Sequence, residues 1–255
     1  MATQLNNSVA RAFAILDLFT ERRPKVTAAD VVRELGFNAV TAHRFLRSLE
    51  AVGAVVAETR GTYRLGYLFA DLGNRVMVGN VLARACQPAL DGLSREIKEA
   101  SMATVMESNM VSCIAVAMAG RTLSVHVRPG TRMAPYCVAN GKIWLAHLPE
   151  DELDRYLDAV TLKAVTAKTI TDREALKKDL ANVRERGFAL NDGEREEGLR
   201  AVAIPLMGRN KTLLAGLSVF GPTSRMSDAM LDKAVERLHA AAREIEERLY
   251  GRVAA

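Results

Sequence analysis

The side chains best suited to recognising another molecule cluster in one short stretch. Thr41, His43, Arg44 and Arg47 follow Asn38, Ala39 and Val40, and two further arginines, Arg60 and Arg64, lie a little downstream. Guanidinium groups bind phosphate and the acceptor edge of guanine, while short apolar side chains such as Ala39 and Val40 suit thymine methyl groups. This is the chemistry of recognition, not of bond breaking. Elsewhere the sequence holds no GxSxG elbow, no HExxH, no GxxxxGK[ST] phosphate loop and no GxGxxG following a strand. Its histidines (His43, His126, His147 and His239) are far apart, without ligand spacing. Cys86, Cys113 and Cys137 form neither an even framework nor a CxxC pair, and they read as buried apolar packing. Asp192, Glu194, Glu196 and Glu197, interleaved with Arg195 and Arg200, read as a solvated loop with local ion pairs, not as a metal site. Neither catalysis nor a cofactor is expected.

The elements that must position the basic cluster are legible. Residues 8–20 read as a helix capped by Ser8, with Val9, Ala12, Phe13, Leu16 and Phe19 on one face. Thr27 with Asp30 resembles a capping box opening a second helix, Ala28 to Leu35, closed by Gly36. Asn38 can cap a third helix running to about Val52. Its apolar face is Ala42, Phe45, Leu46 and Leu49, which leaves Thr41, His43, Arg44 and Arg47 wholly or partly outside. Val55 to Glu58 and Thr62 to Leu65 make a hairpin across Thr59-Arg60-Gly61. Three short helices and a hairpin, in that order, are a winged helix-turn-helix. Its third helix would enter the major groove, with Arg60 and Arg64 meeting phosphate or the minor groove. Val40 either contacts DNA or packs inward against the wing.

Charge agrees with this reading. The chain of 255 residues has a formal net charge of +5, and residues 1–67 contain nine Lys/Arg against six Asp/Glu. About a quarter of the chain thus carries more than half of the excess. A hydrophobic fraction of 49% and a charged fraction of 25% exclude disordered and low-complexity classes. No apolar run reaches the ~18–20 residues of a membrane span, and Met1-Ala2-Thr3-Gln4 does not open a signal peptide. A cytoplasmic protein with no membrane partner is expected.

Residues 8–67 resemble the DNA-binding domain of IclR-type bacterial transcription regulators, the isocitrate lyase regulator family. The matching pieces are Ser8-Val9-Ala10-Arg11-Ala12, Thr41-Ala42-His43-Arg44-Phe45-Leu46 and Gly61-Thr62-Tyr63-Arg64-Leu65-Gly66. Gly141-Lys142, Leu145-Ala146-His147-Leu148-Pro149, Thr169-Ile170-Thr171-Asp172, Arg184-Glu185-Arg186-Gly187-Phe188 and Glu196-Glu197-Gly198-Leu199-Arg200 are similar to its effector domain. So are Ser218 through Gly221 and Ser224-Arg225. The resemblance implies an α+β chain: a winged helix-turn-helix at 5–67, a linker helix at 68–84, and an α/β GAF-like effector-binding domain at 85–255. It implies a regulator of double-stranded DNA at pseudo-palindromic operators, more readily a repressor than an activator. The alternative is a GAF-type small-molecule enzyme or sensor whose winged helix binds protein.

The second part also reads on its own terms. Leu68, Phe69, Leu72 and Val76 form an apolar stripe after the wing, suited to a second copy of the chain or to packing on its own. Helices fit 84–100, 138–148, 150–158, 172–187 and Asp228 to Tyr250, and strands fit three stretches within 101–128, then 201–207 and 212–220. By resemblance, the effector pocket is lined by Val125 and His126, Ala139 and Asn140, the loop 191–201 with Asn191, Leu199 and Ala201, and by Ser218 and Phe220. Family members that sense small keto or hydroxy acids place an acid, a cysteine and two serines where this chain has Asn191, Ala201, Ser218 and Phe220. That substitution implies an aromatic or partly apolar carboxylic acid rather than glyoxylate or pyruvate. Resemblance also implies a homodimer or a dimer of dimers.

Overall fold

Asn6, not Ser8, caps the first helix. Its side chain accepts a hydrogen bond from the Ser8 backbone N–H at 3.0 Å, making Ser8 the capped residue and starting α1 (Asn7–Leu16) one position earlier. The helix also stops sooner than the periodicity suggested, because Thr20 and Arg23 exchange backbone hydrogen bonds that reverse the chain. Val9 and Phe13, assigned to the apolar face, are exposed, whereas Ile15 is fully buried. The computed structural model describes residues 6–20, 22–72, 81–120 and 127–251. It divides the chain into two units, residues 1–80 and 81–255.

In the first unit, β1 (Lys25–Thr27) precedes α2 (Ala28–Leu35), α3 (Ala39–Ala51), β2 (Val55–Thr59) and β3 (Thr62–Leu65). The capping box is present in both directions. Thr27 Oγ1 accepts from the Asp30 N–H at 3.2 Å, and the Thr27 N–H donates to the Asp30 carboxylate at 2.9 Å. Gly36 closes α2 at φ +68°, a left-handed conformation that side chains resist. Asn38 caps α3 by accepting from the Thr41 N–H at 2.8 Å. At three residues, β1 is too short to show a period, and it escaped the sequence reading. It adds to the wing as β1-β3-β2, placing Val26 opposite Tyr63. Ile15, Val26, Val31, Ala42, Leu46, Val55 and Tyr63 fill the core. Residues 68–72 are helical, and Leu68 and Phe69 pack partly on this same core. Leu72 is exposed, and Val76 lies outside the described residues.

The described residues of the second unit form a six-stranded antiparallel sheet with helices on both faces. In chain order it comprises α4 (Val81–Ile97), β4 (Ala100–Glu107), β5 (Met110–Ala117), β6 (Arg132–Met133), a 3-10 turn (Pro135–Cys137) and α5 (Ala139–Ala146). Then come α6 (Glu150–Ala159), α7 (Arg173–Arg186), β7 (Ala189–Asp192), β8 (Leu199–Met207), β9 (Leu213–Pro222) and α8 (Asp228–Tyr250). Strand order is β6-β5-β4-β9-β8-β7. The short strands β6 and β7 were not anticipated, since two and four residues carry little alternation. Leu90, Leu93, Leu231, Leu238 and Ile245 of α4 and α8 pack against Ala103, Ile204, Leu217 and Val219 on one face. Ile143, Leu145, Leu176, Leu180 and Val183 of α5 and α7 pack against Met102, Ala203 and Phe220 on the other. Cys86, Cys113 and Cys137 are buried thiols, and burial pushes Cys86 up to about 12 and Cys113 up to about 11. No helix among the described residues is long and apolar enough to cross a membrane.

Candidate nucleic-acid interface and ligand cavity

Along α3 the sequence alternates what the core needs with what it cannot hold. Ala42, Leu46 and Leu49 are buried, Phe45 is half-buried, and His43, Arg44 and Arg47 are exposed. Asn38 and Ala39 are exposed, Thr41 is half-buried, and Val40 is 80% exposed. Val40 therefore does not pack inward against the wing. Arg60 and Arg64 are exposed on the wing, where the Arg64 guanidinium donates to the Leu65 carbonyl at 3.1 Å. Arg23 pairs with Glu34, Lys25 with Glu58 and Arg33 with Asp30, while Arg11 stacks over the Phe37 ring. Among the described residues, Arg44, Arg47 and Arg60 take part in no ion pair. Their positive charge is left for a partner.

In the second unit, sheet register assembles a cavity. Asn191 of β7 lies opposite Ala201 of β8, and Ala201 lies opposite Phe220 of β9. One step along, Ala203, Ser218 and Met102 form the neighbouring row. The period-two alternation of strands puts both rows on the face that carries α5. There Ala139, Asn140, Asn191, Leu199, Ala201, Ser218 and Phe220 line one cavity. The structure thus brings together seven of the sequence-derived pocket residues. Val125 and His126 lie outside the described residues.

The start of α5 opens onto this cavity without a side-chain cap, since Val138 stands at the N-cap. Its first-turn N–H groups and the helix dipole are suited to an anion. Gly141 permits that placement: a Cβ there would lie 2.2 Å from the Pro135 backbone. Asn140 reaches down to the sheet, its Nδ2 donating to Ser218 Oγ at 2.8 Å. Asn191 Nδ2 donates to the Cys137 carbonyl at 2.6 Å, and Asn191 Oδ1 accepts from the Glu194 N–H at 3.3 Å. Both amides therefore brace the walls.

The acidic loop departs from its sequence reading. Glu194 is buried, not solvated, and Lys142 of α5 is only 1% exposed beneath it. Lys142 Nζ lies 2.5 Å from Glu194 Oε1 and 2.8 Å from Asp179 Oδ2. Burial raises the Glu194 carboxyl above its ordinary range, and the neighbouring ammonium only partly opposes this. Asp192 does make local pairs, with Lys168 and Arg200, while Glu196 and Glu197 are exposed. Sequence reasoning also missed Met102, Met133, Val127 and Val138 in the cavity wall, and it placed the loop 191–201 there without singling out Arg195 or Glu196. Strand register would have been needed to find the methionines. Arg195 carried a signal, being a cation inside the matched loop.

Comparison with known proteins agrees along nearly the whole chain. Residues 8–59 match the IclR helix-turn-helix domain, and residues 75–247 match the family described as bacterial transcriptional regulator IclR C-terminal. The HTH-type transcriptional regulator KdgR of Escherichia coli is 33% identical over 94% of this chain and 91% of its own. IclR of Thermotoga maritima superposes with a TM-score of 0.64 at 26% identity, covering 96% of this chain and 99% of that one. An IclR homolog from Microbacterium hydrocarbonoxydans, complexed with 4-hydroxybenzoate, gives a TM-score of 0.62 at 26% identity over 96% and 100%. With both family domains in order, the chain belongs to the IclR family and is an effector-responsive, DNA-binding transcriptional regulator.

Proposed function

We propose that α3 is the recognition helix and that the cavity beside α5 is the effector site. Arg44 and Arg47 serve base edges and phosphate, Thr41 and His43 assist them, and Ala39 and Val40 offer methyl contacts. Arg60 and Arg64 hold the wing to the backbone. The unneutralised arginines of α3 and the wing support this assignment. The effector is an aromatic or partly apolar carboxylic acid, its carboxylate at the α5 N-terminus. One observation carries this: beside that uncapped helix start, the wall is Ala201 and Phe220, which offers a ring face and little polarity. The 4-hydroxybenzoate bound by the Microbacterium homologue supports the same ligand class.

The chain then works in the cytoplasm as a repressor of a catabolic operon, at least a homodimer, on a pseudo-palindromic site. Ligand binds two conformations unequally and thereby shifts the DNA-competent population. Calorimetry of the full chain tests the effector class. Aromatic acids such as 4-hydroxybenzoate should bind and glyoxylate should not. Tight glyoxylate binding with no aromatic acid bound removes the inference from Ala201 and Phe220. A gel shift with the upstream DNA at two salt concentrations tests the α3 and wing assignment, which requires a steep loss of affinity with salt.

A further inference from the structure

Among the described residues of the second unit, cations that leave the surface are, with one exception, matched by carboxylates. Lys142 has Glu194 and Asp179, Arg200 has Asp228, and Arg225 has Glu99. Arg195 is different. It is half-buried and lines the cavity, yet among the described residues it has no carboxylate within ion-pair distance. The positive charge of Arg195 opposes the rise that burial imposes on the thiol of Cys137, two residues before the first residue of α5. A guanidinium partly removed from water in an otherwise largely apolar wall calls for a charged acceptor.

The backbone that leads into Arg195 is held by two neighbouring threonines. Thr166 Oγ1 donates to the Gly193 carbonyl at 2.7 Å, and Thr169 Oγ1 donates to the Glu194 carbonyl at 2.5 Å. Lys142 fixes the Glu194 carboxylate from below. Holding the loop in this way pre-organises the side chain and lowers the entropy lost when a ligand pairs with it.

We infer that Arg195 is the charged anchor of the cavity, pairing with the ligand carboxylate beside the N-terminus of α5 and selecting the anion over its neutral isosteres. This rests on reading the cavity as the effector site, and adds a specificity-determining residue to it. The helix start alone would bind a carboxylate or an amide oxygen with modest discrimination, because it offers only N–H donors and a partial charge. Arg195 supplies a full charge and a planar fork that matches a carboxylate.

The test titrates the full-length protein with benzoate, 4-hydroxybenzoate and hexanoate, and with the amide of each. In the wild type, at least one acid should bind about tenfold more tightly than its amide. Arg195→Gln should remove most of that preference by weakening the acid, with amide affinity little changed, and Arg195→Lys should retain part of it. Melting curves of both variants confirm that the fold persists. Ala201→Leu fills the cavity and separates the two levels of the reading. If Ala201→Leu leaves acid binding intact, the acids bind elsewhere and the effector-site reading falls together with the anchor. If Ala201→Leu abolishes binding but Arg195→Gln keeps the acid preference, the anchor alone is overturned. A wild type that prefers no acid over its amide overturns it as well.

Discussion

Arg44 is exposed on a helix whose opposite side is buried, and it has no ion-pair partner among the described residues. Replacing it should therefore touch DNA affinity and little else. Arg44→Ala is expected to weaken operator binding by about 1–3 kcal/mol with the melting temperature unchanged. Unchanged operator affinity in the folded variant would take Arg44 off the recognition surface. Lys142 is the opposite case. It is 1% exposed and holds two carboxylates, so Lys142→Met leaves buried negative charge without a partner. A loss of about 3–5 kcal/mol at neutral pH is expected. The sign of the pH dependence follows from Glu194, whose carboxyl burial already raises. Without the ammonium it rises further, so the folded variant binds a proton that the unfolded chain has released. Stability of Lys142→Met should thus recover as pH falls toward the ordinary glutamate range, read as urea midpoints from pH 7 to pH 5. A constant deficit across that range would show that the damage is one of packing. Residue types announced the exposed, cationic face of α3, because exposure along a helix follows from its period. The Lys142–Glu194 pair was invisible, since it joins residues 52 apart through tertiary packing alone.

Local chemistry decided most of the elements. The capping box at Thr27 and Asp30, the left-handed Gly36 and the Asn38 cap all stand where the sequence put them. Each is a contact within a few residues, so no knowledge of the fold was required. The failures share the opposite cause. β1, β6 and β7 exist only because a partner strand across the sheet supplies hydrogen bonds, and each is too short to declare itself. The α1 cap was misplaced because Asn6 and Ser8 are both good capping residues and only the backbone path chooses between them. The capping box also gives a quantitative expectation. The Thr27 hydroxyl, first, and the Thr27 N–H hold the Asp30 carboxyl down at about 2. A lowered carboxyl contributes stability that is present above the unfolded value of about 3.9 and is lost as pH falls toward 2. Asp30→Asn should accordingly destabilise the winged helix by about 0.5–2 kcal/mol at neutral pH. Its urea midpoint should converge with that of the wild type below pH 4. A gap that stays constant through that range would mean that the charge of Asp30 contributes nothing.

At the scale of the whole molecule, a single winged helix buries too little surface on DNA for regulatory affinity. Two copies related by a two-fold axis read a pseudo-palindrome, and the second half-site then binds as an intramolecular event. The segment after the wing is where such pairing should occur. Leu68 and Phe69 are already engaged by the core of their own unit, which leaves Leu72, 43% exposed on the same short helix, as the apolar residue offered outward. Placing a charge there would bury it unpaired in the interface. The wild type should therefore sediment at micromolar concentration as twice the 27.8 kDa chain or more, and Leu72→Asp should shift it toward the monomer. Operator affinity should fall in parallel, while effector affinity at the α5 cavity, which lies in the other unit, should hold. A wild-type mass near 27.8 kDa would rule out the dimer. An intact dimer in Leu72→Asp would move the interface to another surface, and loss of effector binding in the same variant would show that pairing also shapes the cavity.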